Sequence, residues 1–266
     1  MSSIPLVIAH RGASGLAPEN TLSAFKKALE IGVDRIEMDL RMTIDGEVVV
    51  IHDKTILRTT NGRGSVRKLS LKRIKKYSAG KWFHPQFENE LVPTLKEVLE
   101  LVNGQTTLLL EIKNGSPYHH GIEKSIVNLV NEYDANDWCI VQSFNDNVLA
   151  NFRGLPNLNS DIQKLFSAFI PVAPFYGGSK FSYKRLRRYH FADEVNINYK
   201  YVTPRVVKKV HLMNKKVNVW TVNESSNMNK YIRMGVDGII TDFPNRLKEL
   251  LPKPSSKKYH ESTQAE

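Results

Sequence analysis

The stretch "RIEMDLRMTIDGEVVVIHD" (35–53) holds two β-rich runs, "RIEMDL" (35–40) and "EVVVIH" (47–52), joined by a linker too short to cross a sheet. Asp45-Gly46 within it is a strong two-residue hairpin signal, because both residue types tolerate the backbone that such turns demand. Strands joined this tightly run antiparallel, whereas parallel neighbours need a crossover of a dozen residues or more. With Asp45 and Gly46 as the turn, His52 is expected to face Asp39 across the ladder.

Outward from the hairpin, seven more apolar, β-rich segments follow: "LVIAH" (6–10), "TLLLEIK" (107–113), "CIVQSF" (139–144), "DIQKLF" (161–166), "EVNINY" (194–199), "VNVWTV" (217–222) and "GIITDF" (238–243). Helix-period stretches separate most of them, among them Leu22, Phe25 and Leu29 behind an expected Asn20 N-cap, then Leu95, Val98, Leu99 and Val102, and then Ile122, Ile126, Leu129 and Val130. Strands alternating with helices argue for parallel βα units. Nine strand segments less the antiparallel hairpin partner leave the eight of a (β/α)₈ TIM barrel, which fills about 250 residues as one unit. The expected domain is 1–251. Residues 53–91 fit no βα unit and read as an insertion, a lid or wall over the barrel mouth, and 252–266 reads as a mobile, polar and basic tail. "GVDRIEMD" (32–39) and "GVDGIITD" (235–242) echo one another, as two helix-to-strand connections with the same requirements would, and place Asp39 and Asp242 at equivalent points.

Of the 266 residues 41% are hydrophobic and 24% charged, an ordinary globular balance that excludes a disordered or fibrous chain. The single cysteine, Cys139, forbids an intramolecular disulfide and is expected reduced in the core. No signal peptide precedes the first strand and no apolar run nears the ~20 residues of a membrane span, so the chain reads as cytoplasmic. The net charge of +11 gathers in "RKLSLKRIKK" (67–76), "YKRLRRYH" (183–190) and "KKVHLMNKK" (208–216). Solvated helix faces are the ordinary outcome of such runs. No nucleic-acid-binding motif accompanies them, and a positive field also draws in small anionic substrates.

Barrel chemistry sits at the C-terminal ends of the strands. Those ends supply His10 and Arg11, Glu37 and Asp39, His52, Glu111 and Lys113, Gln142 and Ser143, Trp220 and Asn223, and Asp242. Singly, a strand-end histidine is more often structural, and Glu111 has Lys113 at hand for a salt bridge. Together, Glu37, Asp39 and Glu111 would repel one another unless protonated or neutralised. Their all-oxygen donor set suits a hard divalent ion, Mg²⁺ or Ca²⁺. Arg11 and Lys113 beside that ion suit a phosphoryl group, and two histidines titrating near neutrality suit the base and acid of a displacement at phosphorus.

"AHRGASGLAPENT", "IEMDLRMTIDGEVVVIHD", "LLLEIK", "QSF", "VWTVN" and "GVDGIITDFP" together resemble the glycerophosphodiester phosphodiesterases, in order, from residue 6 to about 250. The resemblance implies a TIM barrel that hydrolyses a small glycerophosphodiester to sn-glycerol 3-phosphate and an alcohol. It implies one divalent cation on Glu37, Asp39 and Glu111, acid and base at His10 and His52, and phosphate contacts from Arg11 and Lys113. Phe144 and Trp220, in two of the motifs, are candidates to line the substrate site. The rival readings are a lysophospholipase D-type activity, with "KWFHPQF" (81–87) lining an acyl groove, and a basic barrel that binds nucleic acid or membrane without catalysis. The intact motif positions speak against the second. The alcohol, the choice of ion, the division of labour between the histidines, the nucleophile (water or a glycerol hydroxyl) and the oligomeric state are left open.

Overall fold

Along β2 (Arg35–Met42) successive side chains face opposite ways, and the two sets differ in chemistry. Ile36, Met38, Leu40 and Met42 join a large apolar cluster, while Glu37 and Asp39, equally buried, belong to the other face. The same alternation sends Val7 and Ala9 of β1 (Leu6–Ala9), Leu108, Leu110 and Ile112 of β4 (Thr107–Ile112), and Val217 and Val219 of β8 (Lys216–Trp220) outward. Helices Leu22–Ile31, Leu95–Val102, Ile122–Glu132 and Pro204–His211 cover this shell with Phe25, Leu95, Leu99, Ile126, Val206 and Val210. Among the described residues the inner face carries a small apolar cluster, Ile8, Leu109, Ile140 and Ile240.

The computed structural model describes residues 4–153, 166–169 and 192–252. Eight parallel strands pair in the order β1, β2, β4, β5 (Cys139–Ser143), β6 (Phe166–Phe169), β7 (Glu194–Asn198), β8 and β9 (Gly238–Thr241), and β9 pairs back onto β1 to close the ring. β3 (Val48–Val50) stands outside it as the antiparallel partner of β2. The fold is the expected TIM barrel. Among the described residues no helix is long and apolar enough to cross a membrane.

Three local expectations are corrected. Leu40 pairs with Val50 and Met42 with Val48, one position away from the register of a two-residue turn. The Thr43 amide donates to the Glu47 carbonyl (3.0 Å), the Gly46 amide donates to the Thr43 carbonyl (3.2 Å), and Gly46 has φ +86°. The loop therefore has three residues, a tight turn closed by a left-handed glycine. Asp39 faces Ile51, whose amide donates to its carbonyl (2.8 Å), and His52 lies beyond the ladder. The sixth strand is described at Phe166–Phe169 and so runs past the expected end at 166, while 161–165 lie outside the described residues. The N-cap of the first helix is Thr21, whose Oγ1 accepts from the Ala24 amide, while Asn20 takes φ +56° and turns inward. The tail beyond Pro252 and the cluster 183–190 also lie outside the described residues.

The sequence echo has a shared physical basis. Gly32 and Gly235 end their helices in the left-handed conformation at φ +72° and +76°. Two residues on, Asp34 accepts the Val7 amide (2.7 Å) and Asp237 the Val217 amide (2.8 Å). Each aspartate thus binds a neighbouring strand at its start.

The insertion has its own small core, Ile56, Val66, Ile74 and Ala79 packed on Val49 and Ile51 of the hairpin. The Asp45 carboxylate accepts from the Leu71 amide (3.1 Å), fastening the turn to the insertion. Trp82, Phe83 and Phe87 stack edge to face, with centroids 5.6 and 5.7 Å apart, as a packed aromatic cluster. Gly46→Val should lower stability by about 1–2 kcal/mol, the cost of left-handed backbone for a residue with a Cβ, whereas Gly46→Asn should cost clearly less. Urea unfolding of the full chain measures both, and equal stability of all three proteins would refute the turn assignment.

Candidate active site

At the C-terminal mouth of the barrel, His10, Arg11, Glu37, His52, Glu111, Lys113, Phe144 and Trp220 line one cavity of about 300 Å³. Asp39 lies behind this wall, capped by Arg11 and Lys113. Its Oδ2 is 3.1 Å from Arg11 Nε and its Oδ1 2.9 Å from Lys113 Nζ. Lys113 also pairs with Glu111, so the salt bridge open to this pair is made. Asp39 and Glu111 occupy the same level of adjacent strands, which follows from the β2–β4 register.

Glu37, Asp39 and Glu111 are 1%, 1% and 4% exposed, and each offers an oxygen within 4.8 Å of the others'. Burial, then the neighbouring Asp39 charge, lifts the Glu37 carboxyl to about 8. Glu111 is also raised, first by burial, against the pull of Lys113. Asp39 is held well below the carboxylate range because Lys113 and Arg11 outweigh its burial. A buried cluster with two of its three carboxyls driven toward protonation could bind a cation, and its three hard oxygens fit a divalent ion. The lone thiol, Cys139, belongs to the outer apolar shell.

Glu37 is also held by donors. The Arg11 amide, presented by a φ of +56°, donates to Oε2 (3.0 Å), and Gln142 Nε2 donates to Oε1 (3.4 Å). Gln142 in turn accepts from Asn196 (2.7 Å), and Asn196 from Asn218 (2.8 Å). All three amides are fully buried, and every donor in the chain points toward Glu37. Asn218 leaves room for no side chain at 238, where a Cβ would lie 2.4 Å from its Oδ1. Asn20 clasps Asp39, with Nδ2 donating to Oδ2 (2.8 Å).

The two histidines are anchored alike, and their surroundings shift them in opposite directions. His10 Nδ1 lies 2.6 Å from Asp242 Oδ1, and Ser14 and Asn223 donate to the same carboxylate. Burial opposes the charged ring, but the Asp242 hydrogen bond and the Glu37 charge prevail and raise the pKa above its ordinary value. His52 Nδ1 lies 2.7 Å from Asp53 Oδ1. Its pKa is lowered, first by burial and then by Lys113 and Arg11, against the Asp39 and Asp53 charges. Phe144 and Trp220 meet edge to face with centroids 5.6 Å apart.

The sequence thus anticipated the wall and missed its supports. Asp53 sat within a quoted motif without a role, Asp242 was placed at its strand end without a function, and Asn20 was expected as a helix cap. Asn196 and Asn218 carried a readable signal, since each is a polar residue at the inward position of an apolar strand, and they are register partners. Glu19 and Arg58, which complete the ring of charges around Arg11 and His52, gave no such pattern.

Without a cation, Glu37 binds its proton more tightly in the folded state than in the unfolded one. Stability from this group is therefore lost as pH rises from about 4.5 to about 8. Thermal melts in chelator should show that decline, Glu37→Gln should flatten it, and added divalent ion should restore the wild-type protein at pH 8. A flat wild-type profile across this range would refute the buried-charge account.

Sequence comparison agrees with this geometry. The glycerophosphoryl diester phosphodiesterase family matches residues 10–246. A glycerophosphodiester phosphodiesterase of Caldanaerobacter subterraneus is 39% identical over 250 residues, covering 93% of this chain and 98% of that one. A Bacillus subtilis glycerophosphodiester phosphodiesterase is 32% identical, covering 90% and 84%. The crystal structure of an Oleispira antarctica phosphodiesterase in complex with its product sn-glycerol-3-phosphate superposes with a TM-score of 0.78 at 28% identity, over 92% of this chain and 96% of that one. With the barrel, its carboxylate cluster and a family match spanning both, the chain belongs to the glycerophosphoryl diester phosphodiesterase family.

Proposed function

We propose that the protein hydrolyses glycerophosphodiesters to sn-glycerol 3-phosphate and an alcohol, using one divalent cation and the His10–His52 pair. The carrying observation is a single 300 Å³ cavity onto which two carboxylate-anchored histidines, two carboxylates of the buried cluster, Arg11 and Lys113 all open. The sn-glycerol-3-phosphate bound by the Oleispira antarctica relative supports the substrate class.

Glu37, Asp39 and Glu111 would hold the ion, which supplies charge neutralisation and polarisation of the phosphoryl oxygens. The Lys113 ammonium lies on carboxylate oxygens of Asp39 and Glu111, the residues that would hold the ion. Arg11 and Lys113 offer charge-assisted hydrogen bonds to the phosphate. Each histidine is gripped at Nδ1, which leaves Nε2 for proton transfer and fixes the ring's orientation. His52, whose pKa is lowered, takes the proton of the nucleophile; His10, whose pKa is raised, gives one to the departing alkoxide. Phe144 and Trp220 form the apolar wall beside them. A lysophospholipase D-type reading is not favoured, because the Trp82–Phe83–Phe87 cluster packs on itself and contributes nothing to the cavity wall.

Release of glycerol 3-phosphate from glycerophosphocholine is the direct test. Activity should vanish in chelator and return with Mg²⁺ or Ca²⁺, and turnover in chelator with metal removal verified would sink the cation. His10→Ala and His52→Ala should each lower kcat by roughly 10²–10⁴-fold. The acidic limb of the pH–rate profile should disappear in His52→Ala and the alkaline limb in His10→Ala; the opposite pattern would reverse the two roles.

A further inference from the structure

Arg58 lies in the insertion, in "LRTTNGRG" (57–64), away from the cavity wall and 44% exposed. Its guanidinium nevertheless makes four hydrogen bonds to two carboxylates. Nε and Nη2 donate to Asp53 (2.9 and 3.1 Å), and Nη1 and Nη2 donate to Glu19 (both 2.7 Å). The same two carboxylates hold the cavity's groups. Asp53 Oδ1 faces His52 Nδ1 at 2.7 Å, and Glu19 Oε1 accepts from Arg11 Nη1 at 2.9 Å. Two paths, one to the histidine and one to the phosphate-side arginine, therefore meet on one planar side chain.

We infer that Arg58 is a positioning residue that sets His52 and Arg11 relative to one another, acting through Asp53 and Glu19. The inference rests on the roles given to His52 and Arg11 above. Only a guanidinium suits the task, since its five donors sit in a rigid plane and match two carboxylates at a fixed angle; an ammonium on the same spot is a point charge without that angle. The loop that carries it is itself fixed. Ile56, fully buried, donates its amide to the Gly64 carbonyl (3.0 Å), and its own carbonyl accepts from Thr60 Oγ1 (2.6 Å), which in turn accepts from the Gly62 amide (3.0 Å). The surroundings agree: Asp53 is drawn down to about 2, foremost by the Arg58 hydrogen bond, so it stays a carboxylate facing His52 at any working pH.

A plain structural role for Arg58 makes a different prediction. Exposed ion pairs contribute little to stability, so a positioning residue at this exposure should show in turnover and hardly in folding. The test compares Arg58→Lys, Arg58→Ala and His52→Ala on glycerophosphocholine, with thermal melts of each and with inorganic phosphate as a competitive inhibitor. Arg58→Lys, which keeps the charge, should lower kcat roughly 10–100-fold, the usual effect of removing a group that orients a site residue. Phosphate inhibition should weaken with it, and the melting temperature should stay within about 4 °C of the wild type. Guanidinium chloride at millimolar concentration should restore part of the activity of Arg58→Ala and none of His52→Ala. Wild-type kcat in Arg58→Lys beside a crippled His52→Ala would overturn the inference alone. So would a loss that guanidinium does not relieve and that follows the melting temperature. An unimpaired His52→Ala would overturn the acid–base reading first and this inference with it.

Discussion

Three carboxylates inside a barrel, within 4.8 Å of one another and nearly free of solvent, are the constraint to which the rest of the mouth answers. Burial opposes ionisation of each, and each opposes ionisation of the next. Asp39 is relieved by two cations and by Asn20, and its charge is secure. Glu37 has no cation of its own among the described residues, and receives instead the Arg11 amide and the last donor of a three-amide chain. Hydrogen bonds from neutral donors stabilise a carboxylate by less than a paired charge does, so Glu37 stays raised where Asp39 is lowered. The residual imbalance is what a divalent ion would remove.

The amide chain explains a second oddity, the polar interior. TIM barrels commonly fill their axis with branched apolar residues. Here Ile8, Leu109, Ile140 and Ile240 form such a cluster, while Gln142, Asn196 and Asn218 run beside it as a line of amides. Lower down, Arg35 spans the barrel to Glu194 through two hydrogen bonds of 2.7 and 2.8 Å. Each amide donates to the next in a directed line that ends on Glu37, which lowers the penalty of burying them.

Much of this was legible in the sequence, for physical reasons that differ from part to part. Outward-facing Val7, Ile36, Leu108 and Val217 declare the strands because a helix layer must cover them, and Asp45-Gly46 declares the hairpin because few other pairs turn so sharply. Glu37, Asp39 and Glu111 stand out because charge inside an apolar run needs a reason. The register of the hairpin was missed by one residue because the pair Asp45-Gly46 fits two loops, one of two residues and one of three, and the choice depends on Asp45 capping the Leu71 amide far along the chain. Asn20 looked like a cap because Asn is a good one; Asp39, nineteen residues later, holds it elsewhere. Glu19 and Arg58 meet only through the folded insertion, and no spacing announces it.

The two histidines show what the insertion adds to the barrel. His10 follows β1 and is anchored by Asp242, just past β9, so neighbouring strands of the closed ring fix both partners. His52 has no such frame. It lies past the end of β3, outside the ring, where its carbonyl is tied by Arg41 (2.9 and 2.6 Å) and its ring by Asp53. A residue beyond a ladder is free to swing unless something outside the ladder holds it, and the hairpin's own pairing stops short of it. The core built by Ile56, Val66 and Ile74 on Val49 and Ile51 supplies that support, with Arg58 at its edge gripping Asp53. The ring of strands therefore fixes one histidine, and the hairpin with its insertion carries the other to the same cavity.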